Sequence, residues 1–222
     1  MARIEWDKTG ERLYETGLSR GVYYGYDGTT KKYKTGVPWN GLTSINETPS
    51  GAEPTELWAD DQKYAVLRSA ENFGGAIEAY TYPPEFGAAD GSAHPVEGIE
   101  IAQQARDSFG MSYTTKIGSD QTTEAGYKIH LVYGASVSPS EKTRQTINDS
   151  PEAATFSWEF TSNPVNVTGY KPTAHLTIDS TKVSQEALTA IENKLFGGED
   201  SEATLLMPDE VIAIIRANGA AA

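Results

Sequence analysis

The side chains able to do chemistry are few and scattered. The histidines are His94, His130 and His175. None has a second histidine or a carboxylate at helical metal-ligand spacing, and H-E-x-x-H does not occur. His130 and His175 fall on the polar faces of strand-like runs and read as ordinary surface or interface histidines. The absence of cysteine removes disulfides, Cys-ligated zinc and thiol nucleophiles. A Ser-His-Asp triad assembles in space, but no G-x-S-x-G elbow supports one, and Gly134-Ala135-Ser136 reads as a strand end. Carboxylates neighbour one another at Asp60-Asp61, Glu97/Glu100 and Glu199-Asp200. Glycoside chemistry needs two facing carboxyls at a fixed separation, so these read as surface charge. There is no P-loop and no G-x-G-x-x-G. Asp27-Gly28 and Asp90-Gly91 read as turns, because EF-hand spacing is missing. Glycosylation patterns occur at Asn46, Asn148 and Asn166, but MARIEWDKTGER is charged from Arg3 onward and does not read as a signal peptide. The expectation is a non-enzyme with no catalytic, cofactor or metal site.

The aromatic side chains offer binding rather than catalysis. There are 12 Tyr and 4 Trp. Trp39, Trp58, Tyr80 and Tyr82 lie in or beside loop-rich stretches. Exposed, they could stack on sugars as flat platforms, or anchor a protein interface. Trp158, between Phe156 and Phe160, reads as core.

Strands must position these groups. Period-2 runs place Phe156, Trp158 and Phe160 on one face, and Ala174, Leu176 and Ile178 on another. Phe109–Ile117 and Tyr127–Tyr133 alternate strongly, and polar Gly118–Gly126 between them predicts a hairpin. Val22, Tyr24 and Tyr26 alternate early, Leu42–Glu47 and Lys63–Ser69 are weaker, and Ile77–Tyr82 ends at Pro83-Pro84. The alternation predicts antiparallel strands with one wet face. Ser184 predicts the cap of a helix to Phe196, with Leu188, Ile191 and Leu195 as its apolar stripe and Gly197-Gly198 as its end. Pro208 opens a second helix to about residue 217, with Asp209 and Glu210 at its positive end and Val211, Ile212 and Ile215 on its apolar side. Ser138-Pro139-Ser140-Glu141 predicts a short helical turn. Stretches 25–36, 47–61 and 86–98 read as long loops, functional or mobile, and 197–222 as a C-terminal arm.

Composition fits one domain over residues 1–222. Charged residues are 22% and hydrophobic residues 38%, which suits a folded chain rather than a disordered one. Net charge is 18 − 31 = −13. Phosphate gripping needs clustered Lys and Arg, so tight nucleic-acid binding is not expected, whereas an acidic wall would let DNA pass without sticking. The apolar run Val211–Ile215 is too short to span a bilayer, so no membrane partner is expected.

The segments SPEAATFSWEFTSNPVNVTGYKPTAHLTIDS (150–180), GVPWNGLTSINETPSGAE (36–53), EAYTYPPEF (78–86), WDKTGERLYETG (6–17) and GYKIHLVYGASVSPSEK (126–142) occur in an order that resembles the major tail proteins of long-tailed bacteriophages, the siphoviruses. The resemblance covers nearly the whole chain. It implies a mainly β fold, an antiparallel β-barrel or sandwich of the phage tail tube type with one packed α-helix. It also implies homo-oligomeric rings, hexameric in that family, stacked into a hollow tail tube that conducts DNA. The implied partners are other copies, the tape measure, tail terminator and distal tail proteins. The implied location is the virion tail after synthesis in the host cytoplasm. Trp39, Asn40, Trp58, Tyr82, Phe86, Val211 and Ile215 are the expected subunit contacts, and Glu159 and Asp179 the expected lumen residues. The alternative is a carbohydrate-binding β-sandwich module of a phage tail tip.

Overall fold

The computed structural model describes residues 3–147, 149, 153–198 and 201–219. The pair Glu199-Asp200 and the pattern residues Asn148 and Ser150 lie outside the described residues, as does part of the expected C-terminal arm.

The chain is mainly antiparallel sheet. Strand β1 is Leu13–Asp27, followed by short β2 (Lys32–Tyr33) and β3 (Val37–Pro38), then β4 (Leu42–Glu47). An excursion follows: β5 (Ser50–Gly51), β6 (Pro54–Ala59), β7 (Gln62–Arg68) and β8 (Glu71–Asn72). After β9 (Gly74–Ala79) come a 3-10 turn at Pro84–Phe86, the four-residue α1 (Gly87–Asp90), β10 (Ala93–Val96) and β11 (Ile99–Ile101). The long strands β12 (Phe109–Ser119) and β13 (Gly126–Val137) precede β14 (Phe156–Ser162), β15 (His175–Asp179), α2 (Gln185–Phe196) and α3 (Pro208–Asn218). The main sheet runs β2-β1-β12-β13-β14-β9-β4, with β15 also on β13 and β3 on β1.

The expected hairpin over Gly118–Gly126 is present, as are both expected helices. The Ser184 hydroxyl accepts from the Ala187 N–H at 3.3 Å, the capping bond that this residue type makes. Ala187, Leu188, Ile191 and Leu195 form the buried stripe of α2. Pro208 opens α3, and the Glu210 carboxylate turns back to accept from the Met207 N–H at 2.8 Å.

Two apolar clusters hold the sheet. The first draws on Tyr23 of β1, Phe109 and Met111 of β12, Val132 of β13, Trp158 and Phe160 of β14 and Ile77 of β9, with Leu42 and Ile45 of β4 packed against it. Strands from both ends of the sheet order meet in one cluster, so the sheet is rolled around it. The second cluster joins Tyr24, Ile129, Leu131, Tyr133 and Ile178 to Leu188, Ile191, Leu195, Leu205 and Val211, so α2 and α3 cover the outer face. The expectation of one wet face therefore fails for the central strands. In β12 only Thr115 and Lys116 escape full burial. Its alternate residues Gly110, Ser112 and Thr114 are buried because they are small. The Tyr24 hydroxyl reaches Ser112 at 3.3 Å and donates to the Leu195 carbonyl at 2.6 Å. A Cβ on Gly110 would lie 2.3 Å from a Leu205 methyl. Further along, β14 keeps the expected alternation, with Trp158 and Phe160 buried and Ser157, Glu159 and Thr161 exposed.

The predicted helical turn at Ser138 is absent, and residues 138–147 have no regular structure. Lys142 in this segment is drawn to Asp90 at 2.5 Å, and Asp90 also accepts from the Trp158 indole at 3.2 Å. A buried carboxylate needs such partners, and meeting it keeps the segment extended. The stretches read as loops also contain strands. Residues 47–61 carry β5 and β6, and 86–98 carries α1 and β10. The pair Asp60-Asp61, read as surface charge, forms the β6–β7 turn, with φ of 51° and 57°. Positive φ at both central residues is the primed hairpin turn, which Asp tolerates. Asp27 also makes its expected turn, its carboxylate accepting from the Thr29 N–H at 2.8 Å.

Candidate functional site

Among the described residues, most of the large apolar side chains left in water fall in three regions. The β6–β7 hairpin exposes Leu57, Trp58, Tyr64, Val66 and Leu67, the β10–β11 hairpin exposes Val96, Ile99 and Ile101, and the N-terminal segment exposes Ile4, Trp6, Leu13 and Tyr14. The first two are separate two-stranded sheets, off the main sheet. Each therefore presents free strand edges as well as apolar surface, the two features by which one chain recruits another. The β6–β7 hairpin stands on a stem formed by β5 and β8, between β4 and β9, which pair with each other. It is an arm built on a closed ladder.

The expected contact residues divide sharply. Trp58 is 66% exposed, and Asn40 is exposed. Trp39, Phe86 and Val211 are not available to a neighbour: they retain 3%, 0% and 1% of their surface. Trp39 donates its indole N–H to the Thr81 carbonyl at 3.0 Å and meets Phe86 at a ring separation of 4.5 Å. Phe86 in turn packs on Tyr23, Phe109 and Trp158. Half-buried Tyr82 stands edge-on to Phe86, Phe156 and Trp158. Edge-to-face rings of this kind add about 0.5–1.5 kcal/mol each beyond burial, which explains why these aromatics close the barrel instead of facing outward. Val211 and half-buried Ile215 dock α3 on its own sheet, correcting its reading as an arm for a neighbour.

The two expected lumen residues do not share a wall. Glu159 projects from the face opposite Trp158 and Phe160, with Glu78 of β9 on that same side by register. Asp179 pairs with Lys128, so it shares the face of His130 and Val132, the side of the first cluster. Its carboxyl is held below the usual range: burial pushes it up, but bonds from Thr181 and the nearby Lys182 outweigh that.

The histidines are where sequence reading missed most. His130 of β13 is 7% exposed, not a surface residue, and it lies beside His175 of β15 and Glu47 at the end of β4. His130 Nδ1 is 3.2 Å from His175 Nε2. The Glu47 carboxylate oxygen is 3.9 Å from His130 Nδ1 and 3.8 Å from His175 Nε2. The Tyr113 hydroxyl donates to this oxygen at 2.5 Å. On its other side, His130 Nε2 meets Thr115 Oγ1 at 3.0 Å and Glu15 at 3.4 Å. Glu15 also accepts from Lys128 at 2.6 Å. Aromatic rings flank the pair, Tyr113 parallel to His130 at 4.7 Å and Phe73 parallel to His175 at 4.9 Å.

Charge follows from this packing. Burial lowers the pKa of both histidines; for His130 the neighbouring His175 lowers it further, against the pull of Glu47 and Glu15. Both are neutral imidazoles near neutral pH. Burial and the adjoining Glu47 hold the Tyr113 hydroxyl protonated. No sequence signal marked this cluster, because its members come from three strands far apart in the chain.

No known protein family matches this chain, and no curated protein matches it. Among the described residues no helix is long and apolar enough to cross a membrane.

Proposed function

We propose that this chain is the subunit of a bacteriophage tail tube, whose copies associate into rings and stack into a hollow conduit for DNA. The proposal joins the ordered likeness to siphovirus major tail proteins with one observation of geometry. Two hairpins off the main sheet, β6–β7 and β10–β11, carry eight of the large exposed apolar side chains, above all Trp58 and Tyr64 on the first. A folded body that keeps its apolar residues inside and carries apolar arms outside is built to be completed by neighbours. The virion tail is the corresponding location. The wet face carrying Glu159 and Glu78 is the acidic surface suited to a DNA-conducting wall, since like charge prevents adhesion.

The sugar-binding alternative keeps fewer of its platforms. Trp39 is withdrawn into the core and Tyr82 is half-buried, which leaves Trp58 and Tyr80 as exposed rings.

Electron microscopy of the purified chain over a concentration series tests the proposal. Rings or striated hollow tubes are the expected result. A chain in which residues 54–68 are replaced by a short turn should stay monomeric with its body intact, because β5 and β8 already close the stem. Tubes of normal order from that shortened chain would show that the arm is not a contact. A monomer at every concentration, with saturable sugar binding abolished by Trp58→Ala, would favour the alternative.

A further inference from the structure

The histidine cluster has the makings of a metal site. With ring planes 4° apart, centroids 5.4 Å apart and nitrogens 3.2 Å apart, His130 and His175 meet edge to edge in nearly one plane. Their facing nitrogens point at one another at hydrogen-bond distance, so an ion entering here would replace the shared proton and tilt both rings until the two lone pairs converge on it. Zinc–nitrogen bonds of ~2.0–2.1 Å at a tetrahedral angle separate two ligand nitrogens by about 3.3–3.4 Å. The observed 3.2 Å is already close to that. Glu47, at 3.8–3.9 Å, needs only a small side-chain rotation to complete a third vertex.

The surroundings match what such a site needs. A ligating histidine generally donates its other ring nitrogen to an oxygen partner, which fixes its orientation. His130 has such partners in Thr115 and Glu15 at Nε2, so Nδ1 is the nitrogen that faces His175 and Glu47. The Tyr113 hydroxyl orients the Glu47 carboxylate. Thr177 Oγ1, 3.5 Å from His130 Nδ1, is a further polar contact. The cluster opens onto a surface cleft lined by Glu47, Phe73, Thr173 and His175, which gives an ion a way in.

We infer that Glu47, His130 and His175 form a binding site for a divalent transition metal of the zinc class. Two imidazoles and one carboxylate suit Zn²⁺, Co²⁺ or Ni²⁺ rather than Mg²⁺ or Ca²⁺, which prefer all-oxygen shells. Three protein ligands leave a fourth position for water or for a donor from another molecule. The ion ties Glu47, the last residue of β4 and the root of the apolar arm, to β13 and β15. The site stands independently of the tube proposal.

The test is a Co²⁺ titration of the untagged, chelator-stripped full chain, followed by visible absorption, with Zn²⁺ in competition. One equivalent should bind with the intense bands of tetrahedral cobalt and be displaced by Zn²⁺. His175→Gln and Glu47→Gln should each abolish those bands, Glu15→Gln should weaken affinity ~10–100-fold, and His94→Gln should change nothing. Absence of saturable binding by the native chain would overturn the inference, as would native-like binding by both His175→Gln and Glu47→Gln. Should a variant fail to fold, histidine ¹⁵N shifts of the native chain decide. Zn²⁺ must move His130 and His175 but not His94, and any other pattern overturns the site.

Discussion

Strands β12 and β6 are both extended, both antiparallel and both rich in large apolar side chains, yet they have opposite fates. Nearly every residue of β12 is buried and every residue of β6 is exposed. Residue type alone does not decide burial, since Trp158 of β14, in the same core cluster as β12, and Trp58 of β6 are the same side chain at 0% and 66% exposure. What separates them is cover. β12 lies between a rolled aromatic core and two helices, whereas β6 pairs only with β7 in its own small sheet. Burial here is a property of the assembled fold. On the arm that cover is missing, and the proposed assembly assigns it to a second copy.

Swapping the same residue in the two regions gives the largest contrast. Trp158→Ala should destabilise the chain by about 3–5 kcal/mol, as core Trp deletions do. Trp58→Ala should stay within ~0.5 kcal/mol of the native chain in stability but abolish tube formation. Urea unfolding and electron microscopy of both variants measure this. Equal stability losses would erase the distinction between body and arm.

Ion pairs offer a smaller contrast. Asp90 retains 6% of its side-chain surface and holds Lys142 and the Trp158 indole. Asp90→Ala should cost about 1–3 kcal/mol by leaving both donors unmatched. In the arm, Glu56 pairs with Lys63 with 43% and 46% of their side chains exposed. Glu56→Ala should cost well under ~1 kcal/mol, because water replaces the partner. A double-mutant cycle on each pair checks the ranking.

The smallest effect is a slope in pH, and it belongs to the body alone. His130 and His175 have lowered folded pKa values, so the unfolded chain takes up their protons first. Their contribution is complete above the unfolded value, near 6.5, and is lost as pH falls from there through the lowered folded values. Facing charged and titratable groups are Glu15 on β1, Glu47 on β4, Tyr113 on β12 and Lys128 on β13. Urea midpoints with chelator present should fall between pH 7.5 and 5.5, and His175→Gln should flatten that fall. An unchanged slope in His175→Gln would remove the cluster as its source.

Local pattern made much of the fold legible. Alternation located β12 to β15, Ser184 and Pro208 marked both long helices, and Trp158 read correctly as core. The second buried face did not show, because Ser112 and Thr114 look like wet-face residues and are in fact small enough to let Tyr24 and the helices close over them. Trp39 and Phe86 looked like interface anchors because their neighbours are loop-like; only the rolled sheet gathers them into one aromatic cluster. The histidine cluster depends on β13, β15 and the end of β4 coming together, and no spacing within a single strand encodes that meeting. Half of the arm is legible, since the weaker strand Lys63–Ser69 coincides with β7; β6 is not, because 47–61 reads as a loop and its turn, Asp60-Asp61, reads equally well as surface charge.

The contact between the Tyr24 and Ser112 hydroxyls spans 88 residues. It means that β1 cannot be covered until more than half the chain has been made. The β12–β13 hairpin, by contrast, closes over a short turn and can form early. Folding must then bring the N-terminal strand back across the whole arm-bearing middle, and such non-local pairing is slow, on the order of milliseconds to seconds. During that wait Val22, Tyr23 and Tyr24 form an uncovered apolar strand beside free arms. A chain released before β12 would therefore leave that strand open to aggregation, and on the proposed tube assembly each subunit would have to close its own barrel before it meets its neighbours.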